Sequence, residues 1–535
     1  MNPSLFLFLL IVSFLFILNS SIDAESASKN TISYGGALRW GTRNRPTIIN
    51  PVLTTSSVSM SLLDLIFNRL IRFNSKGEIE PDLARTWEIS EDGLTYTFYL
   101  KKSVKFHDGV ECTAEDVKFT YDLIIDPGID SPFKGHFGLV KDFKVIDRYT
   151  FRVILKEPSV SFIYRLMRDI APKHILQNTD LRNNPFNHHP IGTGPFRFKE
   201  WGEDDTITLE YNPTYFEERP YLDNIIIKPY PNSTDVWTAL MRGELDYVEF
   251  LERSDFEILK KDPSFKAFSF PVDYYYALSY NLEDPILSDK RIRQAIAYGI
   301  DRKRLIDRVS YGYGIECFGP FYEGSIGFNP DVKPFEYNPK KSLRLLNSAG
   351  WHDIDNDNIL EKNGQELEIK VLVDSRGDVY KRIVLAIRQE LQEIGIKVKA
   401  VFYDNENTLA KGFLEQNKPG AHIRLFLAVD TITIREYWSS KKSERVNNIW
   451  PYNNKEVDKL FESGEFTVGL EKRKDISQNI HKIIYEEQPA CFLYFPFDFH
   501  AVSSKFENVD DFFNLNAPYY KMKDWYIKKE VFKYR

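Results

Sequence analysis

The sequence predicts an α/β protein of two or more domains, and three observations carry that expectation. At 535 residues the chain is too long for one compact core. Residues 92–125 run DGLTYTFYLKKSVKFHDGVECTAEDVKFTYDLI, in which strand, turn and helix signals follow one another directly. Residues 367–402 alternate, then step at helical spacing, then alternate again, which is a β-α-β unit with a parallel pair and a right-handed crossover.

Within residues 92–125, Leu94, Tyr96, Phe98 and Leu100 alternate with Thr95, Thr97 and Tyr99, the period of a strand with one buried face. A second short strand is expected at Val104 to Phe106, ended by the His107-Asp108-Gly109 turn. Thr113 stands at an N-cap position with Asp116 three residues on, a capping-box pattern, and Ala114, Val117, Tyr121 and Ile124 form the apolar stripe of the helix.

The other elements follow in order. Gly35-Gly36 and Asn50-Pro51 bracket an opening strand and a loop. A helix is expected over Ser61 to Leu70, a strand over Thr150 to Leu155, a Pro-Lys-His turn at 172–174, strands at Ile207–Leu209 and Ile225–Ile227, and a helix over Asp235 to Arg242 with Gly243 at C′. Ser288 is expected to cap a helix, Asp301 a second one, and Asn338-Pro339 opens a third that Gly350 closes. In the β-α-β unit, Leu367 to Val373 and Ile396 to Phe402 are strands and Tyr380 to Ile394 the helix, stopped by Gly395. Helices over Asn453 to Gly464 and Leu470 to Tyr485 complete the series.

The first 24 residues differ in kind from the rest. Leu5 to Leu18 is apolar apart from Ser13, too short for a comfortable membrane span, and small Ala24 suits a cleavage site, so residues 1–24 read as a secretory signal peptide. No cysteine follows to carry a lipid. Lys and Arg number 70 against 77 Asp and Glu, net charge −7, with no basic block, which argues against nucleic acid as a partner. Cys112, Cys317 and Cys491 have no metal-like spacing. One disulfide is compatible with an oxidising compartment, and buried thiols are the expected state.

The wording of several segments is more specific than their patterns. K-x-V-K-F-H-D-G followed by T-A-E-D-V (105–117 and the residues before), SDKRIRQAIAYGIDRKRLI (288–306), YNPKKSLRLLNSAGW (337–351) and NNKEVDKLF (453–461) together resemble the family 5 extracellular solute-binding proteins, the peptide/nickel-type receptors of ABC importers. The resemblance implies a two-lobe periplasmic binding protein fold of type II, with an extra subdomain in the first lobe (cluster C-like). It implies a first lobe from 30–72, 190–274 and 493–535, its small subdomain at 73–189, and a second lobe at 275–492. It also implies a non-enzymatic monomer in the periplasm that hands its ligand to an inner-membrane permease driven by a separate ATPase. Peptide is the favoured ligand, with chelated nickel and oligosaccharide as alternatives. An exported receptor without a permease is a further reading.

A secreted hydrolase is the rival of another class. No G-x-S-x-G elbow, H-E-x-x-H, P-loop or G-x-G-x-x-G occurs, so no catalytic residue, resident metal or cofactor is assigned. His188-His189 is an adjacent pair in an Asn/Pro-rich loop and no metal pair. Asp353, Asp355 and Asp357 imitate the start of a calcium loop, but Asn358 and Gly364 stand where Gly and Glu are needed, so a solvated turn is expected.

For the ligand, the family's Gly-Trp and acid segment corresponds to LFLAVDTITIREYWSS (425–440), where Asp430 and Trp438 keep the acid and the aromatic while Ala428-Val429 replace Gly-Trp. The other cleft candidates are Thr54 after the Asn50-Pro51 loop, Tyr274, Tyr275, Tyr276 and Asn281 in the crossing segment PVDYYYALSYN, Phe318 in Phe-Gly-Pro-Phe, and Trp450, with Tyr452 beside it.

Overall fold

One 14-residue strand, Ala490–Ser503, ties the molecule together. Its first half pairs with Tyr274–Tyr280 and Gly314–Glu316, its second half with Phe265–Pro271 and Tyr247–Val248. The computed structural model describes residues 32–75, 77–159, 162–404, 415–428, 431–441, 450, 452–467, 470–513 and 519–528. Residues 1–24, Val429 and Asp430 lie outside these.

Around that strand runs a 12-stranded sheet. On one side it continues through Tyr274–Tyr280, Ala421–Leu427 and Glu368–Asp374 to the edge strand Lys397–Tyr403. On the other it continues through Tyr247–Val248, Ala37–Thr42, Asn224–Pro229 and Ile207–Tyr211 to Phe196–Trp201. Glu368–Asp374 and Lys397–Tyr403 are parallel, joined by the helix Asp378–Gln392, so the expected β-α-β unit is present. Two large apolar cores flank the long strand. One gathers Tyr275, Ile296, Ile387, Phe426, Trp438 and Phe492, the interior of the second lobe. The other gathers Trp40, Leu62, Ile66, Ile227, Tyr247 and Trp525, the interior of the first.

A third core belongs to a smaller unit, a four-stranded antiparallel sheet in the order Ala84–Ile89, Thr95–Leu100, Thr150–Leu155, Val140–Asp147. The helix Ala114–Ile125 covers it, burying Val117, Tyr121 and Ile124. Thr113 accepts from the Glu115 amide and Asp116 accepts from the Thr113 amide at 2.8 Å, so the capping box closes as the spacing required. The strand expected at Val104 to Phe106 is reduced to one bridge, Lys105 to Glu111, because the His107-Asp108-Gly109 turn folds the chain straight back: Phe106 N–H reaches Val110 O and Cys112 N–H reaches Val104 O.

Several helices shift from their expected bounds, two of them for a visible reason. The first is Ser57–Ile66, not Ser61 to Leu70. It stops at Ile66 because Gly194 donates to the Ile66 carbonyl at 2.8 Å, and a Cβ on Gly192 would lie 2.0 Å from that same oxygen, so another chain segment occupies the path of a further turn. The second is Lys290–Gly299, capped by Asp289 and not by Ser288, since the Asp289 carboxylate accepts from Arg291 N–H. The helix Ser233–Met241 starts two residues before expectation at the Asn232 cap, and Gly243 closes it at φ 70°. All three cysteines are buried and unpaired, so the disulfide is absent.

Candidate ligand cleft

The chain passes from the first lobe to the second at Val272-Asp273, between Phe265–Pro271 and Tyr274–Tyr280. It returns at Pro496 to Asp498 within the long strand, where Val272 N–H donates to Pro496 O at 3.1 Å. Strand directions fix where a ligand would sit. In the first lobe Tyr247–Val248 pairs with Val502 and Ala501, and Leu251 N–H then reaches Phe499 O, so the carboxyl end of this strand runs toward the crossing. In the second lobe Leu427, the carboxyl end of Ala421–Leu427, pairs with Tyr274 at the same crossing, and Ala428 N–H donates to Asp273 O at 2.7 Å. Ala37–Thr42 lies parallel to Tyr247–Val248, and Glu368–Asp374 parallel to Ala421–Leu427. Carboxyl ends of parallel strands from both lobes thus converge on one place, the position where open α/β sheets hold ligands.

Three carboxyl groups meet there. Glu249 follows Tyr247–Val248 and is only 5% exposed. Tyr519 donates to its Oε2 at 2.8 Å, and Oε1 has no partner among the described residues. Burial pushes its carboxyl up to about 8, with the Asp498 charge adding to the rise. Asp498 is raised to about 6, first by burial and then by the charge of Asp273, and Asp273 is raised by burial. Among the described residues no other residue hydrogen-bonds or ion-pairs with the side chain of Asp273 or Asp498. The cation acting on Asp498 and Glu249 is Arg43, which is turned to Glu252 at 3.6 Å.

Aromatic rings wall this acidic floor. Tyr274 is half-buried, its hydroxyl raised by burial and then by Asp498 and Asp273. Its ring stands edge-on to Tyr276 at 6.2 Å, and Tyr276 in turn meets Tyr380 at 5.6 Å and Tyr494 at 5.4 Å. Tyr322 and Tyr437 also feel the Asp273 charge. Phe250, next to Glu249, has φ 54° and stays 39% exposed. A carboxylate floor with π faces around it attracts a cationic, partly apolar group.

Of the residues singled out from sequence, Tyr274 and Tyr276 lie at this place. Tyr275 points into the second-lobe core, stacked on Phe426 at 5.4 Å, and Trp438 stacks on the same Phe426 ring at 5.5 Å. Thr54 is buried in the Asn50-Pro51 loop, donating to Ile48 O and accepting from Asn50 N–H. Asn281 forms a turn at the far end of Tyr274–Tyr280, where its Oδ1 accepts from Glu283 N–H. Phe318 is half-buried against the second-lobe core, and its carbonyl receives His481 Nε2 at 2.7 Å. Trp450 packs with Leu372 and Tyr403, and Asp430 is outside the described residues. Glu249, Asp273 and Asp498 were missed; the one sequence signal for Asp498 is an acid alternating with Phe497 and Phe499 in an otherwise aromatic strand.

A second carboxylate group forms at Asp353, Asp355, Asp357 and Glu361, where one oxygen from each lies within 4.8 Å of the others. These oxygens serve their own loop: Asp353 accepts from Asn358 N–H, Asp355 from Asp357 N–H, Asp357 from Ile359 N–H and Glu361 from Ile354 N–H. The loop is the expected solvated turn, with Glu361 as an unforeseen member. No helix among the described residues is long and apolar enough to cross a membrane.

Comparison with known proteins finds a family and several relatives. The family described as bacterial extracellular solute-binding proteins, family 5 Middle, matches residues 78–428. The oligopeptide-binding protein AppA of Bacillus subtilis is 29% identical across 97% of this chain and 99% of its own length. The solved structure of that protein with a nonapeptide superposes with a TM-score of 0.73 at 28% identity, covering 93% of this chain and 100% of that one. NikZ of Campylobacter jejuni, solved with Ni(L-His), gives a TM-score of 0.74 at 26% identity, covering 92% of this chain and 99% of that one.

Proposed function

The chain belongs to the bacterial extracellular solute-binding proteins of family 5, and from that premise we propose that it is the substrate-binding receptor of an ABC importer that captures peptides between its lobes. What carries the reading is the convergence of Glu249, Asp273 and Asp498 on the carboxyl ends of the strands of both lobes, with no ion pair to any of the three among the described residues. The α-ammonium of a peptide sits on this floor, and Tyr274, Tyr276 and Phe250 flank the first side chain. Tyr275 and Trp438 support the wall from inside the core, and Asp430, three residues after Leu427 in the sequence, remains a candidate partner.

The work of such a protein is binding. A ligand that touches both lobes favours the closed form by its differential affinity for it, and the two crossings at 272–273 and 496–498 absorb the rotation. Residues 1–24 direct export to the periplasm, 73–189 form the small subdomain of the first lobe, and the closed form docks on a membrane permease. Curated relatives named for oligopeptide and dipeptide binding match over 97% and 84% of this chain, which supports the peptide reading.

Isothermal titration tests the ligand and its orientation together. Nonapeptides with a free amino end should bind at least tenfold more tightly than their N-acetylated forms, since a desolvated charge pair is worth well over 1.4 kcal/mol. Asp498→Asn should erase most of that preference. Equal binding of acetylated peptides would refute the acidic floor, and binding of nickel–histidine without any peptide would refute the ligand class.

A further inference from the structure

The two lobes also meet through side chains far from either crossing in sequence. Ser159 lies in the loop that follows Thr150–Leu155 of the small subdomain, and Glu465 lies near the end of the second-lobe helix Lys455–Phe466. The Ser159 hydroxyl donates to Glu465 Oε1 across 306 positions of sequence. Both partners are held from behind. The carbonyl of Ser159 accepts the hydroxyl of Tyr96, a fully buried ring of the small-subdomain core. The other oxygen of Glu465 faces Arg435 of the helix Thr431–Trp438 at 3.9 Å. Ser159 is fully buried, and the Glu465 and Arg435 side chains are 13% and 20% exposed. Arg473, on the next second-lobe helix, is close enough for its charge to act on Tyr96, as does the charge of Glu465.

This arrangement has the properties of a reversible fastener. A hydroxyl and a carboxylate are both well hydrated once separated, so the bond adds only a modest net stabilisation and breaks without leaving a buried orphan. A charge-assisted bond anchored on both sides is nonetheless directional, so it forms in one relative placement of the lobes. Neither residue lies on the acidic floor, so the contact acts on closure and not on ligand chemistry.

We propose that Ser159, positioned by Tyr96, and Glu465, positioned by Arg435, form an interlobe latch that sets the open-to-closed ratio of the unliganded receptor. The inference rests on the two-lobe closure stated above but not on the identity of the ligand. A receptor whose competent form is partly populated binds with an apparent Kd equal to its intrinsic Kd divided by that population, so the latch tunes apparent affinity for every ligand alike.

The test is made on the mature, ligand-free chain by double electron–electron resonance between nitroxides on Lys141→Cys and Lys474→Cys, both exposed positions. The three native cysteines are buried, so the labels are selective. The closed population should fall relative to the open one by about tenfold in Ser159→Ala and in Glu465→Ala, the ratio that about 1.4 kcal/mol represents. The double variant should fall no further, because one contact is lost in all three. Glu465→Gln, which keeps an acceptor of the same shape, should stay within about threefold of wild type. Unchanged distance distributions in both alanine variants, additive losses in the double variant, or a single population in wild type would each overturn the latch. Absence of peptide binding by the wild-type protein, with these distances behaving as stated, would refute the peptide reading alone.

Discussion

Replacing Glu249 by Gln should strengthen the fold of the free protein, and the gain should grow with pH. Glu249 titrates near 8 in the folded chain against 4.5 when free, so the folded state holds its proton more tightly than the unfolded one. The stability associated with the protonated carboxyl is fully present below about pH 4.5 and is lost as pH rises through about 8. Each pKa unit corresponds to 1.36 kcal/mol, so the stability lost relative to low pH is about 2 kcal/mol at pH 6 and about 4–5 kcal/mol at pH 9. Gln removes the charge and keeps a carbonyl for the Tyr519 hydroxyl, which now donates at 2.8 Å. Urea unfolding of both proteins at pH 5, 7 and 9 reads the difference. The variant should gain stability over wild type at each step, with a total change of several kcal/mol across the series. A difference that does not vary with pH would refute the reasoning, because a packing or solvation effect of the amide has no such slope. The same variant should bind amino-terminal peptides more weakly, so fold stability and ligand capture move in opposite directions.

Three further outcomes are expected. Trp438→Ala removes a fully buried ring stacked on Phe426 and should destabilise the protein by about 3–5 kcal/mol; a variant of unchanged thermal stability that had lost peptide binding would return Trp438 to the cleft. Gly192→Ala would place a Cβ 2.0 Å from the Ile66 carbonyl oxygen and should lower the unfolding midpoint sharply, by the equivalent of about 3 kcal/mol or more; near-wild-type melting would contradict the close approach. Asp355→Asn should leave the melting temperature in excess calcium equal to that in chelator, as in wild type, since those carboxylates hold their own loop amides; a calcium-dependent rise in wild type lost in the variant would show a bound ion.

Local features of the fold could be read from sequence, and features set by distant chain could not. The Thr113–Asp116 capping box and the Asn338 and Asp301 caps depend on three or four adjacent residues, and each is where the spacing put it. The helix Ser57–Ile66 was misplaced because Phe67 and Leu70 continue its apolar stripe, while its true end is fixed by Gly192 and Gly194, more than a hundred residues away. The cleft shows the same division. Tyr274, Tyr275 and Tyr276 are chemically alike, and only strand register decides that Tyr275 packs on Phe426 while its neighbours face the crossing. Glu249, Asp273 and Asp498 come from three separate segments, so their proximity has no counterpart in local pattern.

That proximity also makes the binding reaction measurable as a proton balance. Near neutral pH, Glu249 is mostly protonated, about nine parts in ten at pH 7 for a group that titrates near 8. An α-ammonium seated between Glu249 and Asp498 favours their ionised forms and draws both below their values in the free protein. Binding at pH 7 should therefore release close to one proton, most of it from Glu249, since Asp498 titrates near 6 and is largely ionised already. At pH 9.5, where Glu249 has already lost its proton, it should release almost none, apart from what the ligand's own amino group contributes. Titrating one peptide in buffers of different ionisation enthalpy gives this number directly. A blocked, permanently charged analogue, with a trimethylated amino end, removes the ligand's own titration and should show the same release at pH 7. Zero release at pH 7 with that analogue would mean that the ligand's charge sits elsewhere, and that the three carboxyl groups shape the crossing without receiving the ligand.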